Sequence, residues 1–552
     1  MKKILLLTVL LLSLFANAQI INIPDANFKA KLLAASTTNE IAIDLNYQYN
    51  KIDTNNDGEI QLSESLNIFA LNVQFSNINS LEGIRSFTNI INLKCGYNSL
   101  TSLDLNGLSS ILILSCENNQ ISNINLNGLS NLTELTCRSN QLTNLNLIGI
   151  TNLNFLDCQN NHISNLNLNG LSSLSFLNCG SNLLTVLNLN GLLNLKFLMC
   201  YSNQLSSLNF DGLSSLQEIS CQNNQITNIY TTGLTAIKKI NLTANQFVDL
   251  IIDGIASLEE LVCNSNPLVN LNLSNLVNLK KLICENNQLT SLSLVNLFNL
   301  NELKCNHNFL SSIDINSLIN LNYLDCSYNV ITNLNLTNNA SLNYLNIEVN
   351  QLTSLSLVNN VLLSNLNCGF NQLTTLNLIN NAVLGVLSCS DNQLTNLNLI
   401  NNTSLAYLFC SNNLLTSLLI KNGITEILSF QGNPNLQYIC ADSSQLANVQ
   451  NLVTLYGYTN CVVDSNCALS NQNFNVAEAF SISPNPVKDS ITIDTTIGMT
   501  TINIYNSLGQ LVKTIANAKD TKTIDVASLN NGNYFMKIET SDGVVNQKFI
   551  KI

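Results

Sequence analysis

Between Ile52 and Glu64 the chain reads IDTNNDGEIQLSE, with oxygen-bearing side chains at Asp53, Asn55 and Asp57, then Gly58, Ile60 and a closing Glu64. Hard oxygen donors at alternate positions, a glycine for the sharp turn and a final glutamate are what a twelve-residue calcium loop requires. Glu59 would add its backbone carbonyl and Gln61 the ninth-position contact, so the expected metal set is Asp53, Asn55, Asp57, Glu59, Gln61 and Glu64. The match is complete although the usual second loop is missing, and the expected role of the Ca2+ is structural. The same residues also suit an Asx-rich turn capping a helix that begins near Leu62.

The remaining inventory is thin for catalysis, with two His and 17 Cys in 552 residues. The formal charge is −12, from 22 basic and 34 acidic residues, which argues against nucleic acid or an anionic membrane surface as partner. Beyond the first twenty positions no apolar run reaches the ~18 residues of a spanning helix. Lys2 and Lys3 precede an apolar stretch from Ile4 to Phe15, and Ala16 and Ala18 form a small-residue cleavage site before Gln19. Residues 1–18 therefore read as an export signal, whose removal takes the charge to −14. No Cys follows the cleavage site, so lipid anchoring there is not expected, and export makes disulfides chemically permissible.

The elements that must carry any site are repeats. From Ile90 onward the pattern LxxLxCxxNxLxxLxLx recurs every 21 residues, and its ninth position is Asn in sixteen consecutive copies from Asn98 to Asn413. The sixth is Cys in fourteen copies, from Cys95 to Cys410, with Leu242 and Ile347 as substitutes. A fixed period of this length signals a solenoid. Positions 4 and 6 alternate with polar neighbours, so Leu and Cys should point inward from a short strand while positions 3, 5 and 7 point outward. A second alternating pair, such as Leu145 and Leu147, suggests another extended segment across the coil. Position 18 is Gly from Gly107 to Gly254 and thereafter Asn, apart from Ser317, which predicts a left-handed turn in every coil. One coil buries too little to offset its ordering entropy, so neighbours must stack. The thiols sit where Leu substitutes and would project in parallel, which favours a buried free-thiol ladder over disulfides. Export permits a bridge among Cys440, Cys461 and Cys467, whose pairing the sequence leaves open.

This pattern resembles the leucine-rich repeat family from about Leu71 to Ile439, with Asn98 and its successors in place of the family's ladder asparagine. The resemblance implies a parallel sheet along a concave wall. The segment PDANFKAKLLAA reads as an amphipathic helix started at Asp25, so residues 19–66, with the EF-hand-like loop, look like an internalin-type cap. After Asn471 the repeat ceases and short alternating strands indicate a β-sandwich. Pro484 and Pro486, Gly509 in YNSLGQLV, Gly532 with Tyr534, and Lys548 and Lys551 make the stretch 480–552 resemble the C-terminal sorting domain of the type IX secretion system of the Bacteroidetes. That implies dealings with the secretion machinery, passage across the outer membrane, and a mature form attached to the cell surface or released. The expected fold is mainly β, a leucine-rich repeat solenoid of 21-residue coils over 67–439 with a small helical cap at 19–66, a second cap and linker at 440–479, and a C-terminal β-sandwich.

The outward positions divide into zones. Position 3 runs Phe155, Phe176, Phe197, then Glu218, Lys239, Glu260, Lys281, Glu302, then Tyr323 and Tyr344, with Tyr407 further on. The alternating charges read as an ion ladder of small net worth. Phe197, Met199 and Tyr201 fill all three outward places of one strand, and an apolar patch of this kind marks a binding surface, although stacked rings could simply stiffen the sheet. His162 and His307 lie almost seven coils apart and cannot share a site. Asp157 with Glu134 is the carboxylate pair left for an enzyme reading. The expectation is a surface-exposed, adhesin-like protein, not an enzyme, that binds a protein or glycan through its concave sheet. The alternatives are a structural spacer without a specific ligand and a carbohydrate-active enzyme.

Overall fold

The computed structural model describes residues 19–252, 255–467, 480–495, 498–516, 518, 521–540 and 543–552. The export signal at 1–18, Gly254 and the linker at 468–479 lie outside the described residues. The chain divides into two compact units, Met1–Phe247 with Ile252–Leu258, and Val248–Ile251 with Glu259–Ile552.

The first unit opens on a cap. Asp25 accepts from the Phe28 amide at 2.9 Å and starts the helix Ala26–Leu33, which buries Phe28 and Leu32. The carboxylate's second oxygen takes the amides of Asn79 and Ser80 at 2.8 and 3.1 Å, so one side chain both caps the helix and pins it to the first coil. The strand Ala42–Asp44 runs antiparallel to Ile68–Asn72, which in turn starts a parallel ladder through Asn92–Lys94, Ile113–Ser115, Glu134–Thr136, Phe155–Asp157, Phe176–Asn178, Phe197–Met199, Glu218–Ser220 and Lys239–Asn241.

After a first step of 22 residues each strand step in this ladder is 21, and the ladder asparagine explains why. Asn119 donates its Nδ2 to the carbonyls of Cys95 and Cys116, both at 3.1 Å, while its Oδ1 accepts from the Leu100 amide at 3.0 Å. One amide thus satisfies backbone groups in its own coil and the preceding one, groups that burial would otherwise leave unpaired. The arrangement repeats through Asn413 and reaches Asn433, which bonds the carbonyls of Cys410 and Phe430 at 3.1 and 2.8 Å. Strand centres such as Leu135 and Leu156 and all fourteen ladder thiols are buried.

Two turns differ from expectation. The residue before each ladder Asn is left-handed, with φ of 51–57° from Tyr97 to Asn412, although it is Tyr, Ser, Asn, Ala, His, Val, Phe or Asp and never Gly. At position 18 the expected left-handed turn is found from Gly107 to Gly233 and at Asn275 and Asn296, but not at Ser317, Asn338, Asn359, Asn380 or Asn401. From Asn338 on, four of these coils carry a second asparagine at position 19, where earlier coils have an apolar residue. Asn339, Asn360, Asn381 and Asn402 are buried and donate to carbonyls of the preceding coil, as Asn360 does to Asn339 at 2.8 Å. A side-chain amide ties these turns to their neighbours, and the turn holds without a left-handed residue.

The second unit continues with parallel strands from Glu260–Val262 to Ile427–Ser429, the last step shortened to 20 residues. The extended segment on the other side of the coil pairs into a sheet of Asn396–Asn398, Ser417–Ile420, Tyr438–Ala441 and Val462–Asp464. Elsewhere it pairs only in places, as at Ser207–Asn209 with Asn228–Tyr230 in the first unit. The helix Leu446–Leu455 follows, and the Tyr458 hydroxyl accepts from the Asn433 amide and donates to the Phe430 carbonyl, both at 2.9 Å, which closes the asparagine ladder. Cys440 and Cys467 form the disulfide, and Cys461 remains a free thiol. The tail is a sandwich of one sheet, Phe480–Ser483, Ser490–Thr495 and Thr523–Asp525, and another, Met499–Asn506, Leu511–Ala516, Gly532–Thr540 and Gly543–Lys551. Its core includes Ile491, Ile502, Met536 and Phe549.

Candidate functional site

Positions 3, 5 and 7 face out of the strands as the alternation demands, so the sheet face can be taken zone by zone. In the first unit Phe155, Phe176 and Phe197 occupy consecutive strands in register and are half-buried. The rings of Phe155 and Phe176 stack at 4.4 Å and 7°, and Phe197 is tilted by 45° at 6.3 Å from Phe176. Met199 is half-buried on the same strand as Phe197. Tyr201 folds back over Gly180, and its hydroxyl donates to Gln159 Oε1 two coils away. Burial pushes the Tyr201 phenol above its ordinary range. Beside the rings, Asp157 is buried, accepts from the Gln159 amide at 3.2 Å and lies 3.9 Å from Arg138. Desolvation raises its carboxyl in spite of both contacts.

In the second unit Tyr323 and Tyr344 stack at 4.2 Å and 2°, and Lys304 Nζ lies over the Tyr323 ring, 5.0 Å from its centroid. Burial, then the hydroxyl of Tyr323, push the Tyr344 phenol up to about 12. Lys281 sits between Glu260 at 3.7 Å and Glu302 at 3.3 Å, with Lys304 on Glu302 at 3.4 Å, which is the expected ion ladder from Glu260 to Glu302 but not at its Glu218 end. Tyr407 is exposed on a strand with exposed Phe409, separated from Tyr344 by the strands of Asn365 and Val386. The structure therefore brings Tyr323 and Tyr344 together and leaves Tyr407 apart. Phe409 escaped the sequence reading because only position 3 was followed along the array.

The loop after Lys51 is tightly knit. Asn55 Nδ2 reaches Asp57 Oδ2 at 2.8 Å, and Gln61 Nε2 reaches the same oxygen at 2.7 Å. Asp53 accepts the amides of Asp57 and Gly58 at 3.2 and 3.3 Å. The Glu59 amide, then the Asn55 side chain, hold the Asp57 carboxyl below the usual carboxylate range. Glu64 turns to the backbone, taking Thr54 N at 2.7 Å and Gln61 N at 3.0 Å in a capping box on the helix Leu62–Ser65. Asp57 thus ties the loop together, with the amide nitrogens of both Asn55 and Gln61 turned on one of its carboxylate oxygens. Among the described residues no three or more His, Cys, Asp or Glu side chains gather as a metal cluster.

His162 and His307 are both exposed, and His307 stacks on Tyr328 at 4.2 Å. The ladder thiols are fully buried, and desolvation pushes Cys179, Cys221 and Cys410 up to about 12.

In the tail, Pro484 and Pro486 flank Asn485, whose side chain donates to the Lys548 carbonyl at 3.0 Å and accepts from the Ile550 amide at 2.8 Å. Asn485 is the residue the motif reading missed, since it joins the proline turn to the final strand. Gly509 is left-handed in the turn between two strands, and Gly532 opens the next one. The Tyr534 hydroxyl donates to Asn530 O at 2.8 Å, and its ring stacks on Phe549 at 5.3 Å. Lys551 is buried beside Val487.

Residues 481–552 match the family described as the secretion system C-terminal sorting domain. Among curated protein sequences no match is found. Solved structures similar to the chain include YopM from Yersinia enterocolitica, at 22% identity over 68% of this chain and 88% of that one, with a TM-score of 0.55. The Arabidopsis receptor kinase HAESA, in complex with the peptide hormone IDA and the co-receptor SERK1, gives 20% identity, 68% and 71% coverage and 0.52. The functional domain of InlJ from Listeria monocytogenes gives 21%, 97% and 98%, and 0.44. At such identities YopM and HAESA speak for the fold alone. No helix among the described residues is long and apolar enough to cross a membrane. The chain is a leucine-rich repeat solenoid protein that ends in a type IX secretion system C-terminal sorting domain and is delivered to the cell surface.

Proposed function

We propose that the protein is an adhesin-like recognition module, not an enzyme, that takes a protein or glycan ligand on the outward face of its repeat sheet. The observation that carries this reading is the row Phe155, Phe176 and Phe197 with Met199, four half-buried apolar side chains on adjoining strands. Water-exposed aromatic surface of this extent is unfavourable unless something covers it part of the time. The peptide ligand of HAESA is a property of that receptor, yet it illustrates what the fold can present. Probing the exported protein against glycan and protein arrays tests the reading. A ligand should emerge whose binding drops when Phe176→Ser is introduced; uniform weak signals indifferent to that change would favour a spacer instead.

Two further parts belong to this reading. The loop of Asp53, Asn55, Asp57 and Gln61 is proposed to hold a structural calcium ion, with Glu59 giving a carbonyl and Glu64 closing the loop. Bound calcium would supply cohesion to the cap and no chemistry. Added calcium should raise the melting temperature of the wild type and not that of an Asp53→Ala, Glu64→Ala variant; a full response in the variant would overturn the site. The tail, through Pro484, Pro486, Gly509, Gly532, Tyr534, Lys548 and Lys551, is proposed to be what the secretion machinery engages. Deleting 480–552 should leave the protein in the periplasm, and unchanged surface display would remove that role.

A further inference from the structure

The three-ring row has defined ends. In register, position 3 reads Glu134, Phe155, Phe176, Phe197, Glu218 on five successive parallel strands. Glu134 is exposed and Glu218 half-buried, and among the described residues neither carboxylate is in a salt bridge. Lys239 follows Glu218 in register without reaching it in one. Of the cations near the rings, Lys196 directly precedes Phe197 and is exposed, and Arg138 lies 3.9 Å from Asp157.

The rings also constrain what can sit on them. Phe155 and Phe176 stack face to face along the direction in which strands follow one another, and Phe197 closes on the other side of Phe176. Phe176 has a ring on each side, and stacking along this direction turns ring edges away from the sheet. A sugar is held by laying its apolar side on an aromatic face, and the central ring of this row is flanked on both sides. Ring edges carry the positive part of the aromatic quadrupole and suit the carbonyl oxygens and aliphatic side chains of a polypeptide.

We infer that the row Glu134–Phe155–Phe176–Phe197–Glu218 recognises an extended polypeptide segment with a basic residue at each end of a short apolar run. The inference rests on the binding-face reading above and names its ligand class. Four strand steps at ~4.8 Å separate the two carboxylates by about 19 Å, and an extended chain rising ~3.3 Å per residue covers that in about six residues. The basic side chains therefore belong at i and i+6, with aliphatic residues between. Opposite charges at both ends fix register and direction of approach, while the rings provide the apolar contact.

Fluorescence anisotropy with the exported protein tests this, using labelled heptapeptides with lysine first and seventh and leucine third and fifth. A peptide of the same composition with adjacent lysines and two hexasaccharides, of cellulose and mannan type, serve as comparisons. The spaced-lysine peptide should bind at least about tenfold tighter than the adjacent-lysine one at low salt, and raising salt to ~0.3 M should reduce that preference. Glu134→Gln with Glu218→Gln should abolish the preference while the rings stay in place. Phe176→Ser should weaken both peptides, with circular dichroism confirming the fold. Equal binding of the two peptides, or a preference that survives in the glutamine variant, would overturn the inference. Hexasaccharide binding lost in Phe176→Ser would overturn it while leaving the binding face standing, and absence of any Phe176-dependent binding would remove both.

Discussion

Tyr201 lies across Gly180 so closely that a methyl group at the glycine would meet the phenol Cζ at 2.6 Å. Gly180 is not left-handed, so it is there for room and not for backbone freedom. The same relation joins Glu117 to Gly96, where a methyl group would stand 2.7 Å from the carboxylate carbon. A glycine at position 7 lets the next coil's residue fold back along the sheet, and here it sends the Tyr201 hydroxyl to Gln159. Gly180→Ala should swing the ring off the face and break that bond. Because the displaced group is the far end of a side chain, the stability loss should be about 1 kcal/mol. Nitration of Tyr201, followed by peptide mass mapping, should accelerate in the variant; an unchanged rate would show that the ring stays in place.

The two asparagine ladders predict opposite costs. Asn161 donates to the carbonyls of Cys137 and Cys158 at 3.1 Å and accepts from the buried Leu142 amide at 3.0 Å. Asn161→Ala leaves that amide without a partner and should cost about 2–3 kcal/mol in urea unfolding. Asn381 donates to the Asn360 carbonyl at 2.9 Å, but that carbonyl also receives the Leu363 amide at 3.1 Å, and the buried Asn381 Oδ1 has no hydrogen-bond partner. Asn381→Leu, which installs the residue found at this position in Leu318, should fall within about 1 kcal/mol of wild type. Equal losses in the two variants would mean that both ladders bear the same load.

These ladders also show what the sequence could disclose. Period, strand phase and the inward thiols were legible because each is a column of one residue type, and the sheet followed from them. The left-handed residue before each ladder Asn was not, since that column mixes Tyr97, Ser139, His307 and Val349, none of them a residue type that marks a left-handed turn. Likewise Asn338 looks like the αL successor of Gly107, but Asn339 beside it ties the turn through its side chain. The aromatic row could be placed on the face from its spacing, whereas the mutual stacking of its rings depends on side-chain angles that no spacing contains. The Cys440–Cys467 pairing depends on which ends the C-terminal cap brings together.

Acid should loosen the N-terminal cap through Asp25, with Asp57 adding to the loss. Burial alone would raise the Asp25 carboxyl, but the amides of Phe28, Asn79, Ser80 and Asn27 together outweigh it and hold the group below its ordinary value of 3.8. A carboxylate whose folded pKa is depressed contributes stability above the unfolded pKa and loses it as pH falls through the folded value. The melting temperature should therefore be flat above about pH 5 and fall below pH 4, where the unfolded state takes up the proton first. Asp25→Asn should lower the neutral-pH melting temperature and flatten the acid limb. A variant whose acid limb matched that of the wild type would assign the loss to other carboxylates.

Thiol chemistry gives the sharpest test of the stacked coils. Of the 17 cysteines, Cys440 and Cys467 are joined and fifteen are free. Fourteen of the free ones are fully buried ladder thiols, and burial pushes Cys263 and Cys368, for example, up to about 12. At pH 8 such a group has a thiolate fraction on the order of one in ten thousand, and the thiolate is the reacting species. Cys461 is half-buried and pushed up to about 11, so it too reacts slowly, but reagent can reach it. The native, unreduced protein should release about one equivalent of chromophore from an aromatic disulfide reagent over hours, and fifteen equivalents at once in guanidinium chloride. A native count well above one would mean that the coils open locally, because a thiol in register behind its own strand cannot otherwise meet the reagent. A denatured count near one would mean that the ladder thiols had joined in pairs, a geometry that parallel projection from neighbouring strands opposes.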